Sequence, residues 1–321
     1  MAVELTDFKK LEYKATRAGY GDGVLELGAK NKDVVVLSAD LSPSLKILPF
    51  REKFPKRYFE LGVAESDMAG VAAGLAFSGK IPFMSTFAVF ATGRCFDQLR
   101  VSVAYANANV KIAGSHAGVH TGEDGASHQA LEDVALMRVL PNFTVVVPCD
   151  YNEAKKATIQ SAAVNGPVYL RLFRNKFPVI TKSESDFKIG KASVFREGKD
   201  ATIVASGLMV YHSLLAAESL KKQKIDVRVI NLHTIKPIDK DAILKAAKET
   251  GRIVTAEDHQ IGGGMGSAVA ELLAENYPVP MRFVGVRDRF GQSGKPDDLL
   301  KEYGLTAGDI EKAVVKVIKK N

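Results

Sequence analysis

Short runs of β-branched and other apolar residues alternate with longer helical segments, and this alternation constrains the fold more than any other feature of the chain. A first series of strands is predicted at residues 34–38, 58–61, 81–85, 110–114, 144–148 and 167–171. A second series is predicted at residues 201–206, 226–231, 252–257 and 281–286. Because strands separated by helices assemble into parallel sheets, the sequence predicts an α/β protein with two doubly wound domains and mostly parallel sheet.

The segment 176–200 separates the two series. It is polar and charged and has no helical period, which is typical of a linker. The length of 321 residues also suits two domains of about 150 residues each. We therefore predict a first domain at residues 1–178, a linker at residues 179–195 and a second domain at residues 196–321.

The composition excludes several classes of protein. Hydrophobic residues make up 46% of the chain and charged residues 25%, as in ordinary globular proteins. No apolar stretch reaches the roughly 18 residues of a membrane helix and the N-terminus lacks a signal-peptide pattern, so we expect a cytoplasmic protein without membrane association. The two cysteines, Cys95 and Cys149, argue against a disulfide framework. The net charge of +7 lies on lysines without interleaved aromatic residues, and we predict no nucleic-acid partner.

Polar and aromatic segments follow most strands of the first series. They are residues 40–44, 64–66, 86–90, 115–128 and 173–174. Doubly wound sheets bind ligands beyond the carboxyl ends of their strands. We therefore expect these segments to share one edge of the first sheet and to form a ligand site there.

Two of these segments allow both a structural and a functional interpretation. Glu65 stands at the start of a helix of small residues, where a carboxylate can cap the helix or serve a ligand. Phe87 and Phe90 follow a strand at a spacing that suits either core packing or a platform for a flat heterocycle.

Residues 114–128, GSHAGVHTGEDGASH, are predicted to form a structured loop because glycines and acids recur in them. The histidines His116, His120 and His128 have neither helical spacing nor a cysteine partner, so we predict no metal site. They suit proton transfer or phosphate binding, and incidental surface histidines are the alternative. The glycine-rich segment 262–267 is predicted to form a tight turn at a helix N-terminus, and anion binding is the alternative.

Several motifs together resemble those of transketolases. They are ATRAGYG (15–21), SADLSPS (38–44), GVAESDMAG (62–70), STFAVFATGRCFDQLR (85–100), GSHAGVHTGEDGASHQALED (114–133) and RLFRN (171–175). Nearly the whole chain resembles the C-terminal half of a transketolase, in which a pyrimidine-binding domain precedes the transketolase C-terminal domain. The metal- and diphosphate-binding domain of that family, with its GDG…N motif, has no counterpart here. The resemblance therefore implies one subunit of a split transketolase, active only with an N-terminal partner subunit that carries that domain.

The resemblance also implies thiamine diphosphate as the cofactor, with Mg²⁺ or Ca²⁺ bound by ligands on the partner subunit, and an α₂β₂ assembly. Glu65 would hydrogen-bond a ring nitrogen of the aminopyrimidine, and Phe87 and Phe90 would flank that ring. Asp40 would lie near the thiazolium. Some family members carry a third aromatic residue where this chain has Gly93, so the ring pocket is looser here or is filled from elsewhere.

The resemblance assigns further residues to the substrate. Asp124 would hydrogen-bond the donor hydroxyl next to its carbonyl, and His128 would move protons or bind substrate oxygens. The sugar phosphate would be held by Arg17, Ser44, His116 and Arg174.

The implied reaction belongs to the pentose phosphate pathway. It transfers a two-carbon ketol group from xylulose 5-phosphate to ribose 5-phosphate or erythrose 4-phosphate through a thiamine-diphosphate carbanion. The alternatives are the β-subunit of a 2-oxo-acid dehydrogenase, a deoxyxylulose-phosphate synthase-like enzyme, and a regulatory homologue without catalytic activity. The SADLSPS and GEDGASH motifs favour sugar phosphates over 2-oxo acids.

Overall fold

A seven-stranded sheet and a five-stranded sheet form the frame of the protein, and a two-stranded ribbon completes its β-structure. The computed structural model describes residues 3–319. The strands are β1 (Tyr13–Lys14), β2 (Val34–Ser38), β3 (Tyr58–Glu60), β4 (Ile81–Phe87), β5 (Lys111–Ser115), β6 (Thr144–Val146), β7 (Val168–Arg171), β8 (Phe177–Pro178), β9 (Ser193–Arg196), β10 (Ala201–Ala205), β11 (Val227–Asn231), β12 (Thr234–Lys236), β13 (Ile253–Gln260) and β14 (Met281–Val286).

Helices cover the sheets and connect their strands. They are α1 (Thr16–Lys30), α2 (Leu48–Lys53), α3 (Glu65–Phe77), α4 (Phe96–Gln98), α5 (Asp133–Val139), α6 (Tyr151–Ser161), α7 (Met209–Lys222), α8 (Lys240–Thr250), α9 (Met265–Asn276), α10 (Pro296–Glu302) and α11 (Ala307–Ile318), with 3₁₀ turns at Pro55–Arg57 and Val119–Thr121. Within residues 3–319, none of the helices combines the length and the apolar character that a bilayer crossing requires.

The strand order is β12-β6-β7-β5-β4-β2-β3 in the larger sheet and β14-β13-β10-β11-β9 in the smaller one. Neighbouring strands run parallel except at the edge strands β12 and β9, which are antiparallel to β6 and β11. Every predicted strand run contains a strand, and the prediction of two mostly parallel α/β sheets is confirmed. Strand β12 comes from the second half of the chain but pairs with β6 at the edge of the first sheet, so this sheet contains strands from both halves of the chain.

The segment predicted as a linker contains the start of a strand, which corrects that prediction. Ser193–Arg196 form β9, which pairs with β11 at the edge of the second sheet. The strand is short and mostly half-buried, so its apolar pattern is weak and its neighbourhood looks polar in sequence. The boundary proposed at residue 196 therefore falls within the second sheet's own edge strand.

Helix α1 was not predicted from the sequence, and its glycines explain why. Glycine disfavours helix interiors, yet α1 contains Gly19, Gly21, Gly23 and Gly28. A Cβ atom on Gly19 would lie 2.3 Å from the carbonyl oxygen of Tyr151 in α6. Gly19 and Gly23 thus allow α1 to pack closely on α6, a contact that outweighs the low helix propensity of glycine.

A stretch of wide helical turns follows β4. Phe90–Arg94 and Leu99–Tyr105 have π-helical geometry, and α4 lies between them. Single π-turns are uncommon and often accompany functional sites. Here they set the positions of Phe90 and Arg94 beside the carboxyl edge of the first sheet.

Candidate active site

Glu65 is the first residue of α3, and its side chain is only 1% exposed. Its Oε2 accepts a hydrogen bond from Nη1 of Arg94 at 2.8 Å. The Arg94 side chain is 47% exposed. Glu65 is therefore a buried carboxylate whose positively charged partner reaches solvent.

Four aromatic rings form a wall beside this ion pair. Phe87 and Phe90 stack with 6.0 Å between ring centroids. His116 stacks on Phe87 at 3.8 Å, and His128 meets Phe90 edge-on at 5.3 Å. The Arg94 guanidinium carbon lies 4.2 Å from the centroid of Phe90. The structure thus brings together Glu65 and the two predicted phenylalanines through Arg94, which the sequence analysis did not single out.

The predicted phosphate-binding groups converge around His116. Burial lowers the pKa of His116 to about 3, and the electrostatic effects of nearby Arg17, Arg174 and His128 lower it further. Burial also lowers the pKa of Arg17, with Arg174 adding to the effect and Asp124 opposing it. These mutual effects require the charged groups to lie near one another. At neutral pH the His116 imidazole is therefore uncharged.

The contacts of the two arginines leave hydrogen-bonding capacity unused. Arg17 donates from Nη1 to the carbonyl oxygen of Ser44 at 2.7 Å, while its buried Nε lacks a hydrogen-bond partner among residues 3–319. Arg174 donates from Nη1 to the carbonyl oxygen of Thr121 at 2.9 Å and to Oε2 of Glu123 at 3.1 Å, and it lies 3.5 Å from Oδ1 of Asp124. Two neighbouring guanidinium groups, one with an unpaired buried N–H, favour an anionic ligand.

Asp40 lies somewhat apart from the other candidates. It follows β2 in a left-handed conformation with φ of 58°, and its backbone N–H donates to Oε1 of Glu60 at 2.7 Å. Because β2 and β4 are parallel neighbours, Asp40 shares the sheet edge with Phe87. Its carboxylate is exposed, and in the described part of the chain no hydrogen bond or ion pair joins it to the other predicted site residues.

The second domain holds the histidine-rich loop in place through Asp258. Its carboxylate accepts hydrogen bonds from the backbone N–H groups of Val119 at 3.0 Å and His120 at 3.4 Å. Gly118 has φ of +80°, and a Cβ atom there would lie 1.9 Å from Oδ2 of Asp258. Asp258 was not among the residues predicted from the sequence, although it directly follows the predicted strand 252–257. The rule applied to the strand ends of the first domain would have found it in the second.

The glycine-rich segment 262–267 forms the predicted turn before α9, and that prediction is confirmed. Glu257 accepts hydrogen bonds from the backbone N–H groups of Met265 at 2.7 Å and Gly266 at 2.8 Å. Burial raises the pKa of Glu257 to about 7. The protein's own carboxylate thus occupies this helix N-terminus. Elsewhere in residues 3–319, no group of three or more His, Cys, Asp or Glu side chains is arranged to hold a metal ion.

Fold and site together define a two-domain α/β protein with an acidic and aromatic site at the carboxyl edge of its first sheet. Residues 12–179 match the family described as "Transketolase, pyrimidine binding domain", and residues 190–310 match "Transketolase, C-terminal domain". The chain therefore belongs to the transketolase family, as a C-terminal subunit of the split type.

Similar proteins agree with this assignment. The 6-deoxy-6-sulfo-D-fructose transketolase subunit of Clostridium sp. (strain MSTE9) is 47% identical, with 96% of each chain covered. A putative transketolase C-terminal section of Methanocaldococcus jannaschii is 46% identical over 96% of this chain and 98% of that one. A solved structure described as a split gene transketolase, inactive β4 tetramer, is 50% identical with a TM-score of 0.89 over 95% of this chain and 98% of that one.

Proposed function

We propose that this chain, joined to a separate subunit with the diphosphate-binding domain, is a thiamine-diphosphate-dependent transketolase. It transfers a two-carbon ketol group from a ketose phosphate such as xylulose 5-phosphate to ribose 5-phosphate or erythrose 4-phosphate. The buried Glu65 carboxylate beside the Phe87–Phe90 wall is the observation that carries the proposal. The metal, Mg²⁺ or Ca²⁺, is held by the partner, and the expected assembly is α₂β₂.

The residues at the sheet edge fit the aminopyrimidine part of the cofactor. The Arg94 guanidinium is planar, bears N–H groups, covers Phe90 and donates to Glu65. A flat heterocycle with polar ring nitrogens meets the same chemical surroundings in that position. When bound, thiamine diphosphate supplies the electron sink for breaking the donor carbon–carbon bond.

The side chains of this chain have three tasks in the proposed reaction. Glu65 hydrogen-bonds the aminopyrimidine and sets its protonation, as a positioned carboxylate does in general acid–base catalysis. Phe87 and Phe90 flank the ring and exclude water from one side. Asp40 lies toward the thiazolium at the edge shared with the partner. The proposal assigns no residue of the described chain to the metal ion.

Substrate recognition falls to the loop of residues 114–128 and the two arginines. Asp124 hydrogen-bonds the donor hydroxyl beside the carbonyl, and His128 moves a proton at the substrate oxygens. The phosphate lies against Arg17 and Arg174, with His116 contributing as a neutral N–H donor and Ser44 fixing Arg17 through its carbonyl oxygen. A guanidinium matches phosphate oxygens with parallel N–H donors, which suits this arrangement.

A second candidate donor is a ketose with a terminal sulfonate. The 47%-identical Clostridium subunit is named for 6-deoxy-6-sulfo-D-fructose. Sulfonate and phosphate are both tetrahedral oxyanions, so the pair of arginines suits either group. The two donors differ in charge, since a sulfonate carries one negative charge and a phosphate monoester close to two at neutral pH.

The test is an assay of ketol transfer with thiamine diphosphate and magnesium, with ribose 5-phosphate as the acceptor. Xylulose 5-phosphate and 6-deoxy-6-sulfofructose are compared as donors on this chain alone, on the candidate N-terminal subunit alone, and on their mixture. Activity in the mixture alone supports the proposal, and the ratio of kcat/KM for the two donors selects between them.

Activity of this chain alone would contradict the need for a partner. Turnover of pyruvate by the mixture without any ketol transfer would favour a 2-oxo-acid dehydrogenase instead. Binding of thiamine diphosphate by the mixture without turnover of any substrate would favour the regulatory homologue.

A further inference from the structure

Arg94 makes two contacts that coincide with those proposed for the cofactor ring. Its Nη1 donates to Oε2 of Glu65 at 2.8 Å, and its guanidinium carbon lies 4.2 Å from the centroid of Phe90. The proposed aminopyrimidine would also hydrogen-bond Glu65 and stack on Phe90. A guanidinium imitates such a ring because it is planar, delocalised and rich in N–H donors, and because it stacks on aromatic faces.

The surroundings of Phe90 leave little surface for two occupants. Phe87 and His128 already contact Phe90, with ring centroids 6.0 Å and 5.3 Å away. A heterocycle that stacks on Phe90 must therefore use the ring surface that Arg94 covers. Glu65 is 1% exposed, so its carboxylate is also reached from a restricted direction.

Arg94 can leave this position at low cost. Its side chain is 47% exposed, so the guanidinium regains hydration when it leaves, and a pair that water can reach contributes less than a fully buried one. The neighbouring Gly93 has open space around the position of a Cβ atom, with no atom of another segment of the described chain within 4 Å. The segment from Phe90 to Arg94 consists of π-type turns, a geometry that is frequent at functional sites.

We infer that Arg94 is a displaceable stand-in for the aminopyrimidine ring and that it thereby sets the affinity of this chain for the cofactor. In the cofactor-free chain Arg94 shields the Glu65 carboxylate and the face of Phe90. Cofactor binding replaces Arg94 at both contacts. The inference rests on the proposed function, because it takes Glu65 and Phe90 as the binding site of the ring.

The size of the effect follows from the population of the competent state. The apparent dissociation constant equals the intrinsic one divided by the fraction of molecules in which Arg94 has left. If Arg94 occupies the position in about 75–90% of molecules, the apparent affinity is weakened about fourfold to tenfold. Removal of the guanidinium should recover that factor.

The experiment measures thiamine diphosphate binding directly by calorimetry at fixed magnesium, on the complex reconstituted with the N-terminal subunit. Arg94→Met removes the guanidinium and keeps an apolar side chain. Arg100→Met is the matched control, because Arg100 is an exposed arginine of the same segment and its loss changes the net charge equally. Arg94→Lys retains the positive charge without the planar, stacking group, and it serves as the variant least disruptive to folding.

We expect Arg94→Met to lower the dissociation constant about fourfold to tenfold, and Arg94→Lys to lie between Arg94→Met and the unmodified complex. Arg100→Met should leave the constant unchanged or raise it slightly, since fewer positive charges attract an anionic cofactor less. Binding by Arg94→Met that equals or is weaker than that of Arg100→Met would overturn the inference while leaving the proposed function intact. An unmodified complex that binds no thiamine diphosphate would instead refute the proposed function itself.

Discussion

Two buried carboxylates of this chain each pair with an arginine at 2.8 Å, yet the two pairs occupy very different surroundings. Glu65 and Arg94 lie at the open edge of the first sheet, with side chains 1% and 47% exposed. Asp133 and Arg171 lie in the seam between the two domains, with side chains 0% and 8% exposed. The length of the ion pair alone therefore does not distinguish the half-exposed pair at the sheet edge from the buried pair in the seam.

The hydrogen bonds around each pair account for the difference. Arg171 also donates to the carbonyl oxygens of Ala130 at 3.1 Å and Asp258 at 2.8 Å. Asp133 accepts a further hydrogen bond from the hydroxyl of Tyr169 at 2.6 Å. The seam pair is thus part of a buried hydrogen-bond network, whose partial disruption leaves charged groups unpaired in the interior. The edge pair depends on one hydrogen bond and one stacking contact, both of which a ligand can replace.

The largest effect should come from Glu65→Gln at the edge. If Glu65 sets the protonation of the cofactor, this isosteric change lowers kcat of the reconstituted complex by roughly 10²–10⁴-fold, the range for loss of a positioned acid–base group. Steady-state kinetics at saturating thiamine diphosphate measures the effect. Near-normal kcat under those conditions would mean that Glu65 only begins a helix, as its alternative interpretation holds.

The second effect concerns stability and should separate the two pairs most clearly. Arg171→Met leaves Asp133 without its positive partner in the seam and should lower the free energy of unfolding by about 3–5 kcal/mol. Arg94→Met should lower it by only about 1 kcal/mol, because water can reach Glu65 once the half-exposed side chain is gone. Urea unfolding of the chain, followed by circular dichroism, gives both values. Equal losses in the two variants would remove the distinction between edge and seam.

The smallest effect should show whether Asp258, which lies at the seam between the domains, also supports substrate binding at the edge of the first sheet. Asp258→Asn keeps the size of the side chain but turns an N–H donor group toward the backbone N–H groups of the loop. Loss of a hydrogen bond to a charged acceptor costs about 1–3 kcal/mol, so the loop of residues 114–128 should lose its fixed conformation.

We expect KM for the donor to rise about tenfold, a factor that corresponds to about 1.4 kcal/mol, with the dissociation constant of thiamine diphosphate unchanged. Both quantities are measured because a general loss of folding would raise the donor KM and the dissociation constant of thiamine diphosphate together. A donor KM within twofold of the unmodified value would show that Asp258 is confined to the seam.

Much of the fold could be predicted from the sequence because the relevant signals are local. Each predicted strand of the two sheets lies in a short apolar run. The carboxyl ends of parallel strands necessarily meet at one edge of a sheet. Phe87 is the last residue of β4, His116 directly follows the neighbouring strand β5, and their rings stack. This contact could be anticipated from topology alone.

The features that sequence reasoning missed depend on contacts between distant segments. Helix α1 is stable because its glycines fit against α6, which no local propensity reveals. Strand β12 joins the first sheet although it lies in the second half of the chain. Asp258 accepts a hydrogen bond from the backbone N–H of Val119, which lies 139 positions earlier in the chain.

Periodicity and strand-end positions are properties of neighbouring residues, so the class of fold, the order of strands and helices along the chain and the types of side chain at the sheet edge could all be predicted locally. The contacts of those side chains depend on tertiary packing. It placed Arg94 between Glu65 and Phe90 and closed Asp133 and Arg171 within the seam. Exposure, and with it the effective strength of an ion pair, arises from the packing of segments far apart in the chain, so it cannot be read from residue type or spacing.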